Sequence, residues 1–153
     1  PERFDAVARD LEQDGVTVLR RSEVLGPGLE SDGPVLAADV LLGDSLGEMF
    51  FYLSLATQVI VGGGFNPRGA HNIIEPLMLS KPTLTGPHVW TIEFPFVEAE
   101  DAGIAKRLPD GAALVAELLT PVVDQSDQIS AFLSEHRGAS SRTLAEIDRV
   151  LGQ

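Results

Sequence analysis

The chain has 153 residues, 44% hydrophobic and 22% charged, enough for one globular domain with a buried core and too apolar for wholesale disorder. Its 11 basic and 23 acidic residues leave a formal net charge of −12, which repels a phosphate backbone and disfavours general nucleic-acid binding, while permitting one local anion site built from backbone amides and an arginine. With no cysteine there is no disulfide, thiolate metal site or cysteine nucleophile, and no apolar run approaches the ~20 residues of a membrane helix. The start at Pro1, directly before a helix-like pattern, leads us to expect a fragment of a longer protein.

Phe4, Val7, Ala8 and Leu11 recur at helical spacing, with Gly15 as a stop. Val16–Leu19 reads as a buried strand, the glycine- and proline-rich stretch Ser22–Pro34 as a loop, and Asp39–Leu42 as a second strand. Ser45 to about Leu55 is an apolar-rich helix. Gln58–Val61 is a β-branched strand ended by Gly62-Gly63-Gly64. A short helix over Asn72–Leu79 follows, then a strand at Pro82–Thr85, a helix over Ile92–Asp101 and a strand at Gly103–Lys106. The remainder reads as helical, interrupted at Pro121 and Gly138, with residues 121–153 a terminal helical segment. This alternation predicts an α/β fold with a Rossmann-like parallel sheet, helices on both faces, and ligands at the carboxyl ends of the strands.

Gly43-Asp44-Ser45-Leu46-Gly47 matches G-x-S-x-G between a strand and a helix, the context of a nucleophile elbow. It also spells Gly-Asp-Ser-Leu and so resembles the esterases named for that block. A serine hydrolase needs a histidine base and an orienting acid. His71, His88 and His136 are available, with Asp124 or Asp127 ahead of His136, but none has the Asp-x-x-His spacing of those esterases. A capping box, Ser45 with Glu48 three residues on, explains the same residues structurally. Ligand contact by the Gly47-Glu48 turn is compatible with capping.

Gly62 to Pro76 is the most informative run. It fails G-x-G-x-x-G, because Pro67 stands where the third glycine belongs. It fails the Walker A pattern, because Ala70 and His71 replace the lysine and the Ser/Thr. What remains is glycines that allow close backbone approach, Arg68 as a planar donor fork, Asn72 as a helix start that attracts an anion, and Glu75 one turn in, able to accept from a ribose diol. Asn72 and Glu75 also imitate a capping box, and Arg68 also suits a surface ion pair. So many special residues in fifteen positions favour binding.

This run, continued by Ser80-Lys81-Pro82 and Thr85-Gly86-Pro87-His88, resembles the Kdo (3-deoxy-D-manno-octulosonic acid) transferases of lipopolysaccharide assembly. Their pattern is approximately V-G-G-S-x-x-P-R-G-G-H-N-P-L-E-P, then G-K-P-x-x-x-G-P-H. Leu42-Gly43-Asp44-Ser45-Leu46-Gly47-Glu48 is similar to their L-G-D-[ST]-[ML]-G-E block, and Pro1-Glu2-Arg3-Phe4 with Arg20-Arg21-Ser22 to the start of their C-terminal half. Gly64, Ala70, Ile73 and Ser80 depart from the pattern, Gly64 losing a hydroxyl contact and Ala70 requiring a backbone that tolerates a Cβ.

The resemblance implies the C-terminal half of a GT-B glycosyltransferase, a single domain that binds CMP-Kdo, with the general base and the lipid A precursor surface in an absent N-terminal half. It implies donor contacts at Gly47, Glu48, Gly63, Gly64, Arg68, Gly69, His71, Asn72 and Glu75, with Glu75 on the ribose hydroxyls and the roles of Arg68 and His71 not separated. It further implies a metal-independent reaction, since CMP leaves with one phosphate and no Asp-x-Asp motif is present. The location implied for the full-length protein is the cytoplasmic face of the inner membrane of a Gram-negative bacterium. The chain alone is expected to bind CMP or CMP-Kdo weakly and not to transfer sugar. A transferase using a UDP-sugar, a non-catalytic regulatory domain and the serine hydrolase are the competing readings. His88 and Trp90 either line the cleft or pack.

Overall fold

One apolar stripe, Phe4, Val7, Ala8 and Leu11, makes Phe4–Gln13 an amphipathic helix, α1, and buries Ala8. In the structure, a computed structural model, residues 3–31, 33, 37–136 and 138–152 are described, with residues 139–142 described by their backbone alone. These residues divide into two compact units, 1–52 and 53–153.

In the first unit the strand expected at Val16–Leu19 lies slightly later, as β1 (Val18–Arg20), because the Val16 N–H is spent on the Leu11 carbonyl in the turn that ends α1. The loop expected from Ser22 begins with a helical turn, α2 (Arg21–Val24), which buries Arg21; Pro34, the expected end of that loop, is outside the described residues. β2 (Val40–Leu42) pairs in parallel with β1, Val18 opposite Val40 and Arg20 opposite Leu42. The helix expected from Ser45 starts only at Met49, as α3 (Met49–Leu55), of which residues 53–55 fall in the second unit. Gly47 at φ +82° takes the chain out of the helical region just before it.

The second unit is a parallel sheet in the order β3 (Val59–Ile60), β4 (Thr83–Thr85), β5 (Ala105–Arg107). Val59 and Ile60 face Thr83 and Leu84, which face Ala105 and Lys106. All three residues of the central strand are buried. Its two threonines bury their hydroxyls at little cost, since Thr85 donates to the Val61 carbonyl (3.0 Å) and Thr83 to that of Lys81 (3.2 Å).

Helix α4 is shorter than expected, Ile74–Met78. Asn72 turns the chain first, its Oδ1 accepting from the Ile74 N–H at 2.9 Å in an Asx turn. A 3₁₀ turn at Trp90–Ile92 leads into α5 (Glu93–Asp101), which bends at the cis Phe94–Pro95 bond. α6 (Gly111–Leu118), α7 (Ser126–His136) and α8 (Ala139–Leu151) complete the unit, with the expected interruptions at Pro121 and Gly138. Val61, Ile73, Leu77, Phe96, Ile104, Ile129 and Phe132 form its core. The architecture is α/β, with parallel sheets flanked by helices.

Candidate functional site

Because β3, β4 and β5 are parallel, their carboxyl ends share one edge, and the segments following Val61, Thr85 and Arg107 leave from it. The glycine run packs there as backbone against backbone. Gly64 is buried, and a Cβ on it would lie 2.3 Å from Thr85 Oγ1 and 2.6 Å from the Gly86 nitrogen. Gly63 has φ +89° and would drive a Cβ to 2.4 Å from the Gly69 carbonyl oxygen. Gly69, at φ +95°, faces Thr91 at 2.6 Å. Only glycine meets these constraints without rearrangement.

Hydrogen bonds then fix the loop to the segment after β4. The His88 N–H donates to the Gly64 carbonyl (2.9 Å) and the Ala70 N–H to the His88 carbonyl (2.8 Å). His71 N–H closes the loop on the Gly62 carbonyl at 3.0 Å. Within the loop, Asn66 Oδ1 accepts from the Arg68 N–H (2.9 Å), and the Asn66 carbonyl accepts from Gly69 (3.0 Å). Trp90 Nε1–H donates to the Pro67 carbonyl at 3.1 Å, and the Thr91 hydroxyl to that of Ala70 at 2.6 Å.

Against this ordered backbone three side chains stand out as uncommitted. Arg68 and His71 are exposed and Glu75 is half-buried on the first turn of α4, and none has a side-chain hydrogen bond or ion pair among the described residues. The arrangement offers one cationic fork, one imidazole and one carboxylate beside a close-approach glycine loop. That set can hold a small polar anion that carries vicinal hydroxyls. Beside it a cavity of about 390 Å³ lies among His88, Trp90, Glu93, Val97 and Arg107. Arg107 is held by Glu100 (2.5 Å) and lies 5.4 Å from the Phe96 ring centroid; its hydrogen bonds keep the Glu100 carboxyl below the usual range.

Gly47 and Glu48 belong to the first unit. Gly47 is exposed, whereas Glu48 has both oxygens engaged: Oε1 pairs with Arg21 Nη2 (2.6 Å) and Oε2 accepts from Arg21 Nε (2.7 Å), from Tyr52 and from the Ser45 hydroxyl. The bond from Ser45, then those from Arg21, hold the Glu48 carboxyl below its ordinary value. Arg21 is 8% exposed and also donates to the Leu25 and Gly26 carbonyls. Ser45 therefore meets Glu48 through side chains rather than through a capping box. Residues 1–52 contain no histidine, and Ser45 has carboxylate and phenol partners in place of a base relay. His136, another candidate base, stacks on Phe132 at 4.2 Å between ring centroids and contacts its carbonyl (2.8 Å).

Sequence reasoning missed Arg21, Asn66, Gly86 and Thr91, which shape these segments. Asn66-Pro67 carried a turn signal that pointed to Asn66. The others act on residues about twenty or more positions away, and no local signal marks them.

No protein-family model matches the chain. It is 36% identical over 158 aligned residues to the 3-deoxy-D-manno-octulosonic acid transferase of Bordetella pertussis, an alignment covering 99% of this chain and 36% of that protein. It is 30% identical to the transferase of the same name from Haemophilus influenzae, over 94% of this chain and 34% of that protein. The chain thus spans about a third of these relatives. The crystal structure of the C-terminal CMP-Kdo binding domain of WaaA from Acinetobacter baumannii matches with a TM-score of 0.65 and 30% identity, over 100% of this chain and 70% of that one. Fold, glycine loop and these relatives agree, and the chain belongs to the 3-deoxy-D-manno-octulosonic acid transferase family.

Proposed function

We propose that the chain is the donor-binding domain of a glycosyltransferase that moves Kdo from CMP-Kdo to a lipid A precursor, and that the loop from Gly62 to Glu75 holds the CMP group. The placement of Glu75 carries this reading. It sits on the first turn of α4, half-buried, with no partner among the described residues. A carboxylate so placed suits two charge-assisted hydrogen bonds from the vicinal hydroxyls of a ribose. Arg68 supplies the fork for the single phosphate, and Gly63, Gly64 and Gly69 let the backbone come close. Asn72 sets the turn that delivers Glu75, and His71 completes the polar rim. In the first unit, Gly47 offers an exposed turn position that Glu48 and Arg21 hold in shape.

The rest of the longer protein would supply the general base and the acceptor surface, at the cytoplasmic face of the inner membrane. This chain alone would bind CMP and not transfer sugar. The leaving CMP carries one phosphate, so transfer is proposed to need no metal. No observation favours the Ser45 hydrolase.

Titration calorimetry tests the reading. CMP should bind more tightly than UDP, and Glu75→Ala should weaken CMP roughly 10- to 100-fold, the loss expected when hydrogen bonds to a charged group are removed. Tighter binding of UDP, or an unchanged affinity in Glu75→Ala, would overturn the assignment.

A further inference from the structure

Arg68 has no side-chain hydrogen bond or ion pair among the described residues, so the structure fixes the backbone point from which its side chain springs and leaves the guanidinium free to reach a ligand. That backbone is gripped on both sides by two neighbouring side chains. Trp90 Nε1–H takes the carbonyl of Pro67, just before Arg68, and the Thr91 hydroxyl takes the carbonyl of Ala70, just after Gly69. Thr91 also packs on Gly69 so closely that a Cβ there would meet it at 2.6 Å.

Packing does not explain Trp90, which is 63% exposed. A surface indole of that kind contributes little to stability. What distinguishes it is the direction of its N–H. We propose that Trp90 and Thr91 are positioning residues, a two-pronged clamp that holds the Pro67–Ala70 turn so that Arg68 meets the nucleotide phosphate. The proposal rests on the CMP reading above and adds to it how the phosphate contact is organised.

The clamp has a ligand-free readout, because Arg68-Gly69 is a tryptic bond whose arginine is exposed while its glycine is buried against Thr91. Trp90→Phe keeps a ring and loses the N–H; Thr91→Val keeps the shape and loses the hydroxyl; Thr91→Ser restores it. In the first two, native-state cleavage at Arg68 should accelerate several-fold while Tm stays within about 2 °C, since local opening is freed without loss of the fold. Thr91→Ser should cleave like the unsubstituted chain. An unchanged cleavage rate in both Trp90→Phe and Thr91→Val would overturn the clamp.

Calorimetry with CMP supplies the second arm. Each disruptive variant should lose roughly 3- to 10-fold in affinity, the scale of one neutral hydrogen bond. In an Arg68→Ala background Trp90→Phe should cost nothing further, a dependence that a merely structural role would not show. If the unsubstituted chain binds CMP and the variants bind equally well, or if Trp90→Phe weakens binding as much without Arg68, the positioning role is wrong and the CMP assignment stands. If the unsubstituted chain does not bind CMP, the assignment falls and takes the positioning role with it, and cleavage alone decides whether the clamp exists.

Discussion

At Gly64 the chain replaces a serine of the family pattern, which reads in the sequence as a lost hydroxyl contact. The structure gives another reason for the glycine. The place of its Cβ is filled by Thr85 Oγ1 and the Gly86 nitrogen, and Thr85 is itself tied to the Val61 carbonyl. Gly86 is in turn pressed on Gly64, where a Cβ would lie 2.3 Å from the Gly64 carbonyl carbon. Two backbones touch, so neither has a flexible side chain to move aside. Gly64→Ala should therefore destabilise the protein by about 1–3 kcal/mol, the cost of overpacking. Gly62→Ala is the control, since its Cβ would find only His71 at 3.9 Å and its φ is not positive. Thermal melts of the two variants decide the matter, and equal melting temperatures would refute the backbone contact.

Element by element, every expected strand is present, and the clearest signals were the short runs before Gly43, Gly62 and Gly86, each ended by glycine. Starts and stops moved wherever a distant or non-helical contact intervened: Val16 is held by Leu11, Gly47 delays α3, and Asn72 makes an Asx turn ahead of α4. The glycine loop was legible in the sequence as a candidate site because its residues are contiguous. The Arg21–Glu48 pair was not, since it joins α2 to the turn before α3 across 27 positions. That pair predicts a pH response. The Glu48 carboxyl is held below its ordinary value of 4.5, by the Ser45 hydroxyl first and then by Arg21. Its contribution is therefore full above the ordinary value and is lost as the pH falls through the lowered one. Glu48→Gln should melt lower than the unsubstituted chain at about pH 7, with the gap closing as the pH falls below the ordinary value and through the lowered one. A gap independent of pH would show that the ionised carboxylate does not fasten α2.

Across the whole chain, burial is unevenly shared. In residues 1–52 the buried side chains among those described are Ala8, Arg21 and Leu25, and one of these is an arginine. The second unit has a continuous apolar core from Val61 to Phe132 around a fully buried central strand. Local stability follows buried apolar contact, so the two sheets should not open with the same free energy. Native-state hydrogen exchange, corrected for intrinsic rates, should find the Thr83 N–H, bonded to the Ile104 carbonyl, and the Val61 N–H, bonded to that of Leu84, among the last to exchange. The Val40 N–H, bonded to Thr17 in the first unit, should exchange at least tenfold faster, a difference of about 1.4 kcal/mol. Protection of Val40 equal to that of Thr83 would mean that both units open only in one global transition, and that burial within residues 1–52 does not govern their stability.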